Sequence, residues 1–247
     1  MTPILQAEGV AVSYGGGPVV LEEVTFAVAP GQRVGVLGPN GGGKTTLIRA
    51  VLGELAPVRG RLAVRGRCGT VPQTERSRLD FPVSALDVVL MGALGGRPWW
   101  RRPGRADRRR ALDALASVGL REQAQESFGE LSGGQRQRVL VARALLQDAD
   151  AILFDEPFTG LDAPSAARLT ALIDRLAGEG RAMLVATHDV GQALGWDAVL
   201  CLNRRQVAFG APAATLTPAV LEATYGQELV RVPSARGAFA VVAHQHG

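Results

Sequence analysis

The chain has 247 residues, of which 47% are apolar, 27 are basic, 23 are acidic and two are cysteine. This length accommodates one large core, alone or with a small appended subdomain, and excludes a tandem of two such units. Charged residues, Gly or Pro interrupt every apolar stretch well short of the roughly 18 to 20 consecutive positions a membrane span needs, which excludes an integral membrane protein.

The opening run Met1-Thr-Pro-Ile-Leu-Gln-Ala-Glu has neither a basic leader nor a long apolar stretch, so no secretory signal is expected and the cytosol is the expected compartment. Cys68 and Cys201 have no partner at metal-ligand spacing and read as small buried apolar residues. The net charge of +4 is local: residues 97–110 hold seven Arg and one Asp, net +6, which leaves 4 − 6 = −2 for the remainder. A generally basic face is therefore absent and no nucleic-acid partner is expected; the Arg-rich segment reads as a solvated face, with contact to lipid phosphates or a partner as the alternative. Of the 27 basic residues only Lys44 is lysine. A compact ammonium differs physically from a guanidinium fork, so that one position asks for a specific reason.

Along the chain, Val24, Phe26 and Val28 alternate with period 2 and Gly15-Gly16-Gly17 supplies a turn, so the first thirty residues read as short strands. Residues 33–37 form a short apolar strand that runs into a glycine-rich turn, and 44–54 have helical spacing. Between 84 and 128 the strand signal disappears, leaving helical stretches at 84–91 and 106–118 around the Arg-rich segment; this predicts an inserted helical subdomain. Residues 151–154 and 182–186 are buried-strand runs, each followed by a helical pattern, as in a parallel α/β core. Residues 198–202 and 206–209 read as a hairpin about Asn203-Arg204-Arg205, and Thr217-Pro218 has the chemistry of a helix start. Nothing after Pro233 carries a pattern.

Three motifs carry chemistry. Gly38-Pro39-Asn40-Gly41-Gly42-Gly43-Lys44-Thr45-Thr46 fits the phosphate-loop pattern, between a predicted strand and a predicted helix. Its glycines let backbone N–H groups close around a β-phosphate, the helix N-terminus adds its dipole, Lys44 bridges the β- and γ-phosphates and the Thr45 hydroxyl suits Mg²⁺. Ala151-Ile-Leu-Phe-Asp155-Glu156 delivers two carboxylates to the C-terminal end of a strand, where such sheets bind ligands. Asp155 suits the Mg²⁺ shell and Glu156 suits a general base for water. In Leu131-Ser132-Gly133-Gly134-Gln135, Ser132 is an N-cap and the glycines expose N–H groups at the start of a helix through Val139, Ala142 and Leu146, a second anion site.

Leu-Ser-Gly-Gly-Gln is the signature of ABC ATPases, and over about residues 4–230 the chain resembles that family. The resemblance implies an α/β fold: a RecA-like P-loop NTPase core with an N-terminal antiparallel β-subdomain and an inserted α-helical subdomain, here about 84–128. The cassette would occupy 1–235, with a tail at 236–247. It further implies that Tyr14 stacks on adenine, with strand packing as the alternative; that Gln73 is the glutamine linking the Mg²⁺ and water site to a permease; and that Asp162 is the D-loop aspartate, although many members have Ser-Ala before that Leu-Asp. His188 resembles the histidine that contacts the γ-phosphate.

ATP and Mg²⁺ are thus the expected cofactors. A second copy packed head to tail, closing each signature over the other's ATP, is the expected partner, together with an integral membrane permease on the inner face of the cell membrane. Longer stretches, among them Phe81-Pro-Val-Ser-Ala-Leu-Asp-Val-Val-Leu-Met-Gly and Phe154-Asp-Glu-Pro-Phe-Thr-Gly-Leu-Asp-Ala-Pro, resemble the ATPase subunits of manganese and zinc importers, which implies an extracytoplasmic metal-binding protein as an indirect partner. Chelated-iron importers are the rival branch, and a soluble ABC ATPase of translation or DNA repair is the reading from another class. His244 and His246 are read as incidental, with metal binding as the alternative.

Overall fold

The computed structural model describes residues 2–72, 83–94 and 103–226, together with the backbone of 229–231 and 239–241. Its strands are β1 (Leu5–Ser13), β2 (Val19–Val28), β3 (Arg33–Leu37), β4 (Pro57–Val64), β5 (Cys68–Val71), β6 (Ala151–Asp155), β7 (Ala182–Thr187), β8 (Ala198–Leu202), β9 (Gln206–Gly210), β10 (Leu229–Arg231) and β11 (Phe239–Val241). Its helices are α1 (Lys44–Val51), α2 (Ala85–Leu90), α3 (Arg105–Ser117), α4 (Gly133–Leu146), α5 (Ala163–Gly178), α6 (Val190–Ala193), α7 (Pro212–Thr215) and α8 (Pro218–Tyr225). They form two compact units, one of Met1–Arg65 with Ala182–Gly247 and one of Gly66–Arg181.

In the first unit β1 lies between β2 and β4, antiparallel to both. Val24, Phe26 and Val28, whose alternation predicts β2, are all buried. The sequence reading does not anticipate β4, because most of its positions are exposed and no alternation marks it. In the same unit β3 lies between β7 and β8, parallel to both, and β9 returns antiparallel to β8 as the predicted hairpin. A side chain at Gly35 would meet the Trp196 ring at 2.6 Å, so β3 approaches that ring as only glycine permits. Arg33 opens β3 with a two-armed grip on Asp197: Nη2 donates to Oδ1 at 3.0 Å, and Nε and the backbone N–H donate to Oδ2 at 3.1 and 2.8 Å. Helix α1 stops at Val51, three residues before the predicted end, because Gly53 turns at φ +77° and donates to the Ala50 carbonyl. Thr217 caps α8 with Pro218 in its first turn, as its chemistry predicts.

In the second unit β5 pairs parallel to β6, with Val71 opposite Phe154. Helices α2 and α3 both pack on α4, around Leu86, Leu115, Phe128 and Leu140, all fully buried. Each such side chain contributes about 1.5–3 kcal/mol of apolar burial. Ser84 caps α2 by accepting from the Asp87 N–H while the Asp87 carboxylate accepts from the Ser84 N–H at 3.0 Å. Asp107 does the same for Gly104 at the start of α3. The described part of the Arg-rich segment therefore begins a helix, where Arg110 also pairs with Asp148 at 2.6 Å; residues 97–102 lie outside the described residues. Burial pushes the thiols of Cys68 and Cys201 up to about 11, which keeps them protonated and unreactive at neutral pH. Among the described residues no helix is long and apolar enough to cross a membrane.

Candidate functional site

Within the first unit, Leu37 of β3 stands opposite Thr187 of β7 in parallel register. Gly38 and His188, the next residue of each strand, therefore leave the sheet side by side at its C-terminal edge, the usual place for a ligand. From Gly38 the chain folds into a tight loop. Gly43 sits at φ +103°, and a side chain there would lie 2.8 Å from Leu21; one at Gly38 would collide with the Leu202 carbonyl. The loop closes on itself through Gly42 N–H to the Pro39 carbonyl at 3.0 Å, and the Gly42 carbonyl accepts from Arg204 N–H at 2.9 Å.

The Lys44 side chain is 5% exposed. Its Nζ donates to the carbonyls of Gly38 and Pro39 at 2.8 and 3.1 Å. A buried ammonium needs such acceptors. Phosphate oxygens are better ones, because charge-assisted bonds are about twice as strong as neutral ones. The first turn of α1, which holds Thr45 and Thr46, contains no acidic residue, so its N-terminal dipole faces no competing charge there. Loop, lysine and helix end thus fit a polyphosphate.

Tyr14 follows β1 and is 41% exposed. Its hydroxyl hydrogen-bonds with the Thr46 hydroxyl at 2.9 Å, which sets the ring beside the phosphate loop. The Arg49 guanidinium lies 5.5 Å from the ring centroid. His188 is half-buried and flanked by a small backbone lock: Asp189 N–H donates to the Thr187 hydroxyl at 3.1 Å, while the Asp189 carboxylate accepts from Gly191 and Gln192 N–H at 2.8 and 3.2 Å and caps α6.

In the second unit Asp155 is the last residue of β6 and is buried, as its placement in the strand run predicts. Glu156 follows at φ +49°, a backbone region that costs a non-glycine residue about 1–2 kcal/mol. Its carboxylate accepts from the Thr159 hydroxyl at 3.4 Å. Gln73, two residues beyond Val71 of β5, lies outside the described residues, as do His244 and His246.

The signature begins with Leu131, a buried anchor. Ser132 then caps α4 as predicted, with its hydroxyl accepting from Gln135 N–H at 3.3 Å and its own N–H donating to the Gln135 side-chain oxygen at 2.8 Å. Gly133 and Gly134 pack against the residues on either side of Asp162: a side chain at Gly133 would lie 3.8 Å from Leu161 Cδ2, and one at Gly134 would meet Ser165 Oγ at 2.6 Å. Asp162 itself caps α5, accepting from Ser165 N–H at 2.9 Å. Ser165, through its hydroxyl first and its backbone N–H second, holds the Asp162 carboxyl below the usual carboxylate range. The Leu131–Gln135 stretch and the Asp162 cap are therefore one construction within this unit.

The sequence reading does not identify Arg49, Thr159, Ser165 or Asp189 as parts of these sites. One of them had a readable signal: Asp162-Ala-Pro-Ser165 has the same cap-and-proline grammar as Thr217-Pro218, and a cap at Asp162 implies an acceptor for the Ser165 N–H. Among the described residues no group of three or more His, Cys, Asp and Glu side chains forms a metal cluster.

Residues 21–159 match the family described as ABC transporter. Over 238 residues the chain is 40% identical to the manganese transport system ATP-binding protein MntB of Bacillus subtilis, an alignment covering 93% of this chain and 94% of that one. It is 37% identical over 242 residues to the zinc transport system ATP-binding protein TroB of Treponema pallidum, covering 94% and 91%. Among solved structures it is similar to an ABC transporter assigned to the metal-chelate type in an inward-facing conformation, with a TM-score of 0.85, 28% identity and 98% and 99% of the two chains covered. Together with the phosphate loop and the signature, these likenesses settle the family: the chain belongs to the ABC transporters, among their ATP-binding, ATP-hydrolysing subunits.

Proposed function

We propose that this subunit energises the import of manganese or zinc through a separate membrane permease, at the cytoplasmic face of the membrane. The observation that carries the reading is the 40% and 37% identity, over more than nine-tenths of both chains, to ATP-binding proteins of manganese and zinc transport systems. Ion selectivity then resides in the permease and an extracytoplasmic binding protein.

In this reading Gly38–Thr46 bind the phosphates through backbone N–H groups, and Lys44 exchanges its two carbonyl bonds for phosphate oxygens as the nucleotide enters. Tyr14 supports the adenine. Thr45, Asp155 and Gln73 offer the hard oxygen donors that suit Mg²⁺, which neutralises phosphate charge when bound. Glu156 accepts the proton of the attacking water, and His188 donates a hydrogen bond toward the γ-phosphate. Leu131–Gln135 and Asp162 serve the ATP of a second copy related by a two-fold axis, with Ser132 and the glycine N–H groups as donors. Residues 84–128 receive the permease's cytoplasmic helix, where hydrolysis is coupled to alternating access.

Elemental analysis of cells grown in limiting metal tests the cargo. Replacement of Lys44 by Ala is expected to lower accumulated manganese or zinc and to leave iron, nickel and amino-acid uptake unchanged. A deficit in chelated iron with normal manganese and zinc would move the protein to the chelated-iron branch, which has a relative 34% identical to this chain over 235 residues.

A further inference from the structure

Tyr14 stands in a place where packing does not decide how its ring lies. It directly follows Ser13, the last residue of β1, and precedes Gly15 and Gly16, both at positive φ, and 41% of it is exposed. The second torsion of a tyrosine side chain is broad, so an exposed ring rotates easily. Two residues of α1 hold this one. Thr46, in the first turn, fixes the hydroxyl at 2.9 Å. Arg49, three residues on and so on the same helix face, lies over the ring at 5.5 Å from its centroid. Arg49 is held in turn, since its Nε donates to Glu54 Oε2 at 3.0 Å. The connection Glu54–Arg49–Tyr14–Thr46 thus runs from just beyond the end of α1 back to its first turn, and it ties the ring to the helix whose N-terminus is the phosphate loop.

We propose that Arg49 is a positioning residue for the adenine base: its guanidinium, steadied by Glu54, braces the Tyr14 ring from one face, and the base stacks on the other. The proposal rests on the reading of Tyr14 as the adenine support. A planar guanidinium stacks on an aromatic face as an ammonium does not, which gives the arginine at this position a geometric role beyond its charge. Bracing the ring before the base arrives lowers the ordering cost of binding.

A cation over an exposed ring is worth about two- to fivefold in an equilibrium. Calorimetric binding to the full chain, with Mg-ATP and with inorganic triphosphate as ligands, tests the role. Arg49→Ala is expected to weaken ATP about two- to fivefold, to raise KM by the same factor at unchanged kcat, and to leave triphosphate affinity as it was. Arg49→Lys keeps the charge without the planar stack and is expected to fall between Arg49→Ala and the parent. In a Tyr14→Ala background, Arg49→Ala is expected to have no further effect. Equal weakening of ATP and triphosphate, or an undiminished effect without Tyr14, would overturn the proposal, because Arg49 would then act on the phosphates by charge. If Tyr14→Ala alone left ATP affinity unaltered, the adenine-support reading itself would fall, and that outcome is read without any Arg49 variant. All the changed side chains are at the surface, and coincident unfolding curves establish that each variant is folded.

Discussion

In its proposed role as the base, Glu156 holds a charge needed for chemistry on a backbone that disfavours it, so activity and stability should separate there. At φ +49° a residue with a Cβ costs about 1–2 kcal/mol relative to glycine. Glu156→Gln keeps that cost and keeps the contact to the Thr159 hydroxyl, but it cannot take a proton. It is expected to bind ATP, to lose hydrolysis by about 10²- to 10⁴-fold, and to accumulate as an ATP-dependent dimer, because turnover normally releases the pair. Glu156→Gly loses hydrolysis as well, yet it relieves the backbone. The hydrogen bond to the Thr159 hydroxyl that it gives up is long, at 3.4 Å, and worth about 0.5 kcal/mol at the lower end of the usual range. The relieved strain exceeds that bond by about 1 kcal/mol, which corresponds to a midpoint about 2–4 °C higher for a chain of this size. Phosphate release, size exclusion with and without ATP, and thermal unfolding of the three proteins provide the readouts. Wild-type turnover in Glu156→Gln would remove Glu156 as the base, and a Glu156→Gly midpoint at or below that of Glu156→Gln would refute the strain argument.

An amine-reactive reagent should modify only Lys44 and the α-amino group. Because Lys44 is 5% exposed and bonded to two carbonyls, its labelling should be slow and should stop under saturating Mg-ATP; equal labelling with and without nucleotide counts against the phosphate-loop role. Gly134→Ala places a methyl group 2.6 Å from Ser165 Oγ and 2.7 Å from its Cβ, so denaturant melts should show a loss of about 1–3 kcal/mol, part of it recovered by adding Ser165→Gly. Simple additivity of the two changes would mean that the contact is not the cause. Arg33 holds the Asp197 carboxyl below the usual carboxylate range, through its side-chain hydrogen bonds first. The depressed carboxyl contributes stability above about pH 4 that disappears as pH falls through its folded value, so Asp197→Asn should be less stable than the parent at pH 7 by about 0.5–1 kcal/mol, after allowance for solvent screening. The two curves should converge once the pH lies below that folded value, and a gap that persists after the carboxyl has titrated would mean that charge is not the source.

The parts legible in the sequence are those in which a local rule and a tertiary requirement coincide. The strand at 33–37 is apolar because β3 is covered on both faces, and the glycines after it are required by both loop geometry and close packing. Ser132 was readable as a cap because capping depends on four consecutive residues. The strand β4 was not readable, since a half-exposed strand with Gly60 in its middle loses the alternation that would mark it. The four residues of α6 are too few for a helical period. Contacts across sequence were also silent: nothing in the composition near Tyr14 announces that Arg49 will lie over it, because that pairing depends on where β1 ends relative to α1.

The neighbours of β3 set an order of events for the growing chain. Leu37 pairs with Thr187 and with Cys201, so the strand that launches the phosphate loop has no sheet partner until the sequence about 150 residues later has been made. Gly42 likewise awaits the N–H of Arg204. At about 5–20 residues per second, the roughly 150 residues from Leu37 to Thr187 take about 8–30 s to synthesise. During that interval the apolar β3 run is an unpaired edge, exposed to chaperones and to neighbouring chains. Nucleotide therefore cannot serve as a folding template for the nascent amino-terminal third, and truncations ending before β8 should leave the ribosome without an ATP-retaining fragment.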